Sequence, residues 1–106
     1  MRYLFMAFHY PKPEYRNDLL QWIVRVGAAL RAQPGLLQLA DFDDAANGRI
    51  VAVSIWESAA HFRAGSEKAM ASLPGEAPYD LWETRPLEVF TLGEIEETVV
   101  SSDSEA

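Results

Sequence analysis

His9 and His61 are the two imidazoles in this 106-residue chain, and no cysteine accompanies them. A neutral imidazole takes a proton at one ring nitrogen while a partner holds the other, so each is a candidate general base. His9 follows the aromatic run Tyr3-Leu-Phe-Met-Ala-Phe8, and His61 comes five residues after Trp56 and next to Phe62. Trp56 and Phe62 are therefore candidate walls of a pocket for a flat ligand, a role that competes with plain core packing. Arg85 follows Tyr79 and Trp82. Its guanidinium can hold an anionic ligand oxygen, although Tyr, Trp and Arg are also the types enriched where subunits meet.

Several chemistries are excluded by what is missing. Without cysteine there is no thiol nucleophile, zinc ribbon, iron–sulfur cluster or disulfide framework. Two histidines without a third ligand do not predict a metal site. No Gly-rich phosphate loop, nucleophile elbow or paired-carboxylate motif occurs. Sixteen acidic residues against nine Lys and Arg give a net charge of −7, which argues against nucleic acid, whose phosphates need a basic face. No apolar run approaches the ~20 residues of a membrane helix, so the expectation is a soluble, cytoplasmic protein. Five of the acids (Glu94, Glu96, Glu97, Asp103, Glu105) lie in the last thirteen residues, which lack Lys and Arg. That division predicts one domain over 1–93 and an acidic, partly disordered tail over 94–106.

The elements that must position these residues follow from periodicity. Residues 2–10 are apolar on both alternating faces and stop at Pro11, which reads as a strand buried on both sides. Between Glu14 and Gln33, Tyr15, Leu19, Trp22, Ile23, Val26 and Leu30 fall on one helical face, and Pro34-Gly35 closes the segment. Residues 36–42 and 49–56 are strand-like and flank a hairpin connection ending in Asn47-Gly48. Ser58 suits the N-cap of a second helix carrying Phe62, Gly65, Ala69 and Leu73 on one face until Pro74. Residues 79–92 read as extended, interrupted at Pro86, with Val89, Phe90 and Leu92 in a last strand.

The order strand, helix, strand, strand, helix, strand is the split βαβ, or ferredoxin-like, arrangement: an α+β fold with two helices on one face of a four-stranded antiparallel sheet. Such a sheet alternates apolar and polar residues when its second face is wet. Here Tyr3, Phe5 and Ala7 oppose Leu4, Met6 and Phe8, while Ile50, Ala52 and Trp56 oppose Val51, Val53 and Ile55. Each large side chain left in water forgoes about 1.5–3 kcal/mol of burial. A second copy of the chain is the economical cover, so a homodimer with sheets packed face to face is expected.

With these features the chain resembles the dimeric α+β barrels of the antibiotic biosynthesis monooxygenase superfamily. The resemblance rests on the element order over 2–93, on Pro34-Gly35-Leu36, and on Ser54-Ile-Trp-Glu-Ser58 leading into a helix with Phe62. It implies a small, largely aromatic ligand in each subunit and, as an activity, a cofactor-independent monooxygenase. The alternative is a non-catalytic ligand-binding or assembly protein of the same fold. Trp56 matches the pocket Trp of the cofactor-free members, whereas their Asn and Tyr correspond to Ala52 and Phe62 here. Haem-degrading members carry a first-strand Asn and, on the second helix, a Trp and a late His, none of which this chain has. In the catalytic reading His61 or His9 is the base, Trp56, Phe62 and Arg85 shape the pocket, and no cofactor is used.

Overall fold

The computed structural model describes residues 1–96. The elements are β1 (Tyr3–His9), α1 (Arg16–Arg31), β2 (Leu36–Asp44), β3 (Arg49–Trp56), α2 (Ala59–Ala71), α3 (Tyr79–Trp82) and β4 (Glu88–Gly93). All strand pairs are antiparallel, and the sheet order is β2-β3-β1-β4. This is the ferredoxin-like α+β fold. Among the described residues, no helix is long and apolar enough to cross a membrane.

Local chemistry accounts for the boundaries. Pro13 opens a short 3₁₀ turn over Pro13–Tyr15 that leads into α1, so the regular helix begins two residues later than its apolar spacing suggests. The β2–β3 connection closes through a 3₁₀ turn at Ala45–Asn47 and then Gly48, whose φ of 61° is the left-handed conformation a glycine adopts without a Cβ clash. Ser58 caps α2, its hydroxyl accepting the His61 backbone N–H at 3.1 Å. The extended reading of 79–92 needs correction over its first residues. Tyr79–Trp82 is a four-residue helix, in which the Leu81 and Trp82 amides donate to the Pro78 carbonyl. One turn of helix is too short to show a periodic pattern.

The register places Phe5, Ala7 and His9 of β1 beside Ser54, Ala52 and Ile50 of β3, on the face covered by the helices. There Leu19 and Ile23 of α1 pack on Ile50, with Leu20, Tyr79 and Trp82 against them. Trp56 is fully buried beneath α2. The helix can approach so closely because position 65 is glycine: a Cβ there would lie 2.6 Å from the Trp56 ring.

The opposite face of the sheet carries Leu4, Met6, Phe8, Phe42, Phe90 and Leu92, with Phe42 57%, Phe90 47% and Leu92 55% exposed. Residue 94 continues the β1–β4 pairing by one step, since its amide donates to the Arg2 carbonyl at 2.9 Å and its carboxylate binds the Arg2 guanidinium. The rest of the acidic tail expected over 94–106 lies, from residue 97 onward, outside the described residues.

Candidate functional site

A cavity of about 360 Å³ lies between the sheet and the helices. Its position follows from side-chain size. Ala7 and Ala52 are neighbours across β1 and β3, and Gly27 faces the cavity from α1, so small groups leave space that larger ones would fill. The surrounding wall is largely aromatic and aliphatic, with Phe5, Trp22, Trp56, Phe62 and Tyr79 among its rings. Among the described residues, no Lys or Arg lines it. Its ionisable side chains are His9, Asp41 and Tyr79.

Aromatic packing fixes one end. Phe62 stacks on Phe5 with ring centroids 5.1 Å apart, meets Tyr3 at 5.4 Å and stands edge-on to Trp56 at 5.9 Å. The Trp56 indole N–H donates to Ser54 Oγ at 2.9 Å, so this buried polar atom is satisfied inside the wall. Trp56 is thus a core residue and a wall of the cavity at once.

The other end holds the polar groups. His9 and Glu83 are each only 5% exposed, and His9 Nδ1 lies 2.9 Å from Glu83 Oε2. An ionised carboxylate can only accept, so Nδ1 is the donor, and in the neutral imidazole Nε2 is then the nitrogen with the lone pair. The second oxygen of Glu83 accepts the Tyr10 backbone N–H at 2.8 Å. Backbone bonds lock the segment in place: the Lys12 amide donates to the Trp82 carbonyl and the Thr84 amide to the Tyr10 carbonyl, both at 2.8 Å. The short helix α3 therefore delivers Tyr79 and Glu83 to the end of β1 together.

Tyr79 lies beside His9, with ring centroids 5.6 Å apart. Its hydroxyl accepts the Trp22 indole N–H at 2.9 Å. Burial pushes the Tyr79 hydroxyl above the ordinary phenol range; the Trp22 bond acts in the opposite sense, and the Glu83 charge adds to the rise. Asp41, an exposed residue of the edge strand β2, turns its carboxyl toward the cavity. Burial raises its pKa against the weaker lowering influence of Arg31 and His9. Glu83 and Asp41 carry no motif visible in sequence. Glu83 is 74 positions from the histidine it binds, and only the β1–α3 contacts bring the two together.

Of the sequence candidates, His9, Trp56 and Phe62 line the cavity. His61 and Arg85 are not among its lining residues. His61 Nδ1 is 2.7 Å from Ser58 Oγ, and its Nε2 is 3.6 Å from Glu57 at the surface. Arg85 stacks over the Tyr10 ring at 4.0 Å and binds Glu88 at 2.6 Å. Among the described residues no group of three or more His, Cys, Asp and Glu side chains could hold a metal ion.

No family model and no curated protein sequence matches the chain. Solved structures do. Rv0793 from Mycobacterium tuberculosis superimposes with a TM-score of 0.71 at 18% identity, over 91% of this chain and 97% of that one. A protein described as an antibiotic biosynthesis monooxygenase gives a TM-score of 0.67 at 16% identity, over 91% and 100% of the two chains. SnoaB, a cofactor-independent oxygenase from Streptomyces nogalater, gives 0.62 at 17% identity, over 90% and 94%. The chain has the fold of the antibiotic biosynthesis monooxygenase-like proteins.

Proposed function

We propose that the protein is a homodimer whose subunits each bind a small, largely aromatic molecule in this cavity and oxidise it as a cofactor-independent monooxygenase. The observation that carries the reading is the imidazole of His9, buried, anchored on Glu83 and facing a largely apolar space. A base held in one tautomer inside a largely apolar cavity is suited to removing a proton from a phenol or from a carbon activated by a neighbouring ring and carbonyl. In such a reaction His9 Nε2 takes the proton, and the resulting carbanion or phenolate passes an electron to molecular oxygen. The carbon–oxygen bond then forms to give a hydroperoxide. Loss of water turns a ring methylene into a carbonyl, so one oxygen atom enters the product and the other leaves as water. The fold shared with SnoaB supports the same reading.

The dimer rests on the uncovered sheet face. Phe42, Phe90 and Leu92 are each about half exposed on this face, which soluble monomers seldom leave so apolar, and a second copy offers an identical apolar layer.

The experiment is oxygen uptake with anthrones and hydroquinones, comparing the protein with His9→Ala and His61→Ala. Uptake that disappears in His9→Ala and persists in His61→Ala supports the reading. No uptake with any of these compounds, together with tight binding of them, supports instead a non-catalytic ligand-binding protein. That second reading is favoured by Ala52 and Phe62, which stand where cofactor-free oxygenases of this fold place polar side chains.

A further inference from the structure

Trp22 and Tyr79 are bonded in a way that leaves a hydroxyl proton unspent. The Tyr79 oxygen accepts from Trp22, and among the described residues its own proton has no protein acceptor. The ring lines the same end of the cavity as His9, whose Nε2 likewise has no partner among the described residues. A proton acceptor and a proton donor thus stand side by side on one wall, held by separate anchors, Glu83 and Trp22.

We infer that Tyr79 is the hydrogen-bond donor to the ligand's oxyanion: an acidic hydroxyl docks between His9 Nε2 and the Tyr79 hydroxyl, loses its proton to His9 and is held as the anion by Tyr79. This deepens the aromatic-ligand reading above and rests on it. The Trp22 bond makes the assignment specific, because a hydroxyl that accepts from a fixed indole N–H must aim its own proton elsewhere, and it becomes a better donor by polarisation. Burial keeps Tyr79 protonated, as a donor must be.

The same geometry selects the ligand's charge. With no Lys or Arg on the wall, with Asp41 on it and with Glu83 behind His9, a preformed carboxylate or phosphate entering the cavity meets no permanent positive charge and two carboxylates close by. A neutral phenol or enol enters without that penalty. Once it ionises, its negative charge is matched by the positive charge that His9 acquires. The ligand class is therefore an uncharged hydroxyaromatic.

4-Nitrophenol is a direct probe, since its neutral and ionised forms absorb at different wavelengths. Titrated in the presence of saturating protein, the bound probe is expected to ionise at lower pH than the free probe. In Tyr79→Phe, which keeps the ring, its ionisation moves back up by about one pH unit, a roughly ten-fold loss of anion stabilisation. Trp22→Phe, which removes the indole N–H together with part of a buried ring and leaves the Tyr79 hydroxyl in place, gives a smaller shift of the same sign and serves if Tyr79→Phe does not fold. Bound probe whose ionisation is the same in wild type and in the variants overturns the role of Tyr79 while leaving the ligand reading intact. Failure of wild type to bind the probe at all removes the aromatic-ligand reading itself, and this assignment with it.

Discussion

The Nδ1 atom of His9 and the Oε2 atom of Glu83 lie 2.9 Å apart, both side chains are buried, and the second carboxylate oxygen of Glu83 holds the Tyr10 amide. Two donors thus converge on one carboxylate, and each takes its own oxygen. Glutamine at position 83 keeps the shape but has only one acceptor oxygen, so one of the two donors loses its partner. With the Tyr10 amide holding that oxygen, the glutamine N–H₂ faces the imidazole, which must then accept at Nδ1 and carry its proton at Nε2.

Glu83→Gln is therefore expected to invert the His9 tautomer, read as a change in the ¹⁵N shifts of the two ring nitrogens. If His9 is the base, oxygen uptake falls by about 10²–10⁴-fold, the usual contribution of a positioned base. Stability falls by about 1–3 kcal/mol in urea denaturation, the typical cost of an unpaired buried group. A tautomer unchanged by the substitution refutes the positioning role of Glu83.

Gly65 and Trp56 define the closest helix–sheet approach. A methyl group on residue 65 would sit 2.6 Å from the fully buried indole ring of Trp56, which could yield only by turning into the cavity and straining its bond to Ser54. Gly65→Ala is expected to destabilise the protein by about 1–3 kcal/mol through overpacking, despite the better helix propensity of alanine. Urea midpoints at constant m-value measure this, and an unchanged or raised midpoint contradicts it.

Much of this arrangement was legible in the sequence because it depends on periodic patterns. Short apolar runs on both faces over Tyr3–His9 and Arg49–Trp56, and the spacing of Leu19, Trp22 and Ile23, define the sheet and its covering helix, and therefore which strand ends carry His9 and Trp56. Single-turn structure and long-range pairing leave no such pattern. Tyr79–Trp82 is too short for a period, and the bonds from Trp22 to Tyr79 and from His9 to Glu83 join residues 57 and 74 positions apart. Trp22, whose position on the apolar stripe of α1 suggests packing alone, also lines the cavity and donates to Tyr79.

Asp41 places a carboxyl against the cavity, where burial raises its pKa above the ordinary 3.8. The folded state therefore holds this proton more tightly than the unfolded chain does. Below about pH 3.8 both states are protonated and there is no penalty. As pH rises from there through the raised folded value, the unfolded chain ionises first, stability is lost, and the loss is complete above that value. Asp41→Asn removes the ionisation. The variant is expected to match wild type in thermal midpoint in acid and to exceed it at neutral pH, with the gap opening as pH increases. A gap that closes as pH increases shows that the Arg31 and His9 attractions outweigh the desolvation.

Phe90 separates the stability of the subunit from that of the dimer. It is 47% exposed in the single chain, where it meets Phe8 edge-on with ring centroids 5.4 Å apart, and it sits centrally on β4 on the face away from the helices. Lysine there remains solvated in a monomer but is stranded without a partner between two apolar sheets. Phe90→Lys is therefore expected to convert a dimer into a folded monomer in sedimentation, with unchanged circular dichroism. Val24→Lys, a change at an exposed site on α1, leaves the dimer intact. The cavity lies on the other side of the sheet, so ligand binding by the monomeric variant tests whether each subunit holds a complete site. Wild-type protein that sediments as a monomer at high concentration shows that this face is left to water, and the homodimer must then be abandoned.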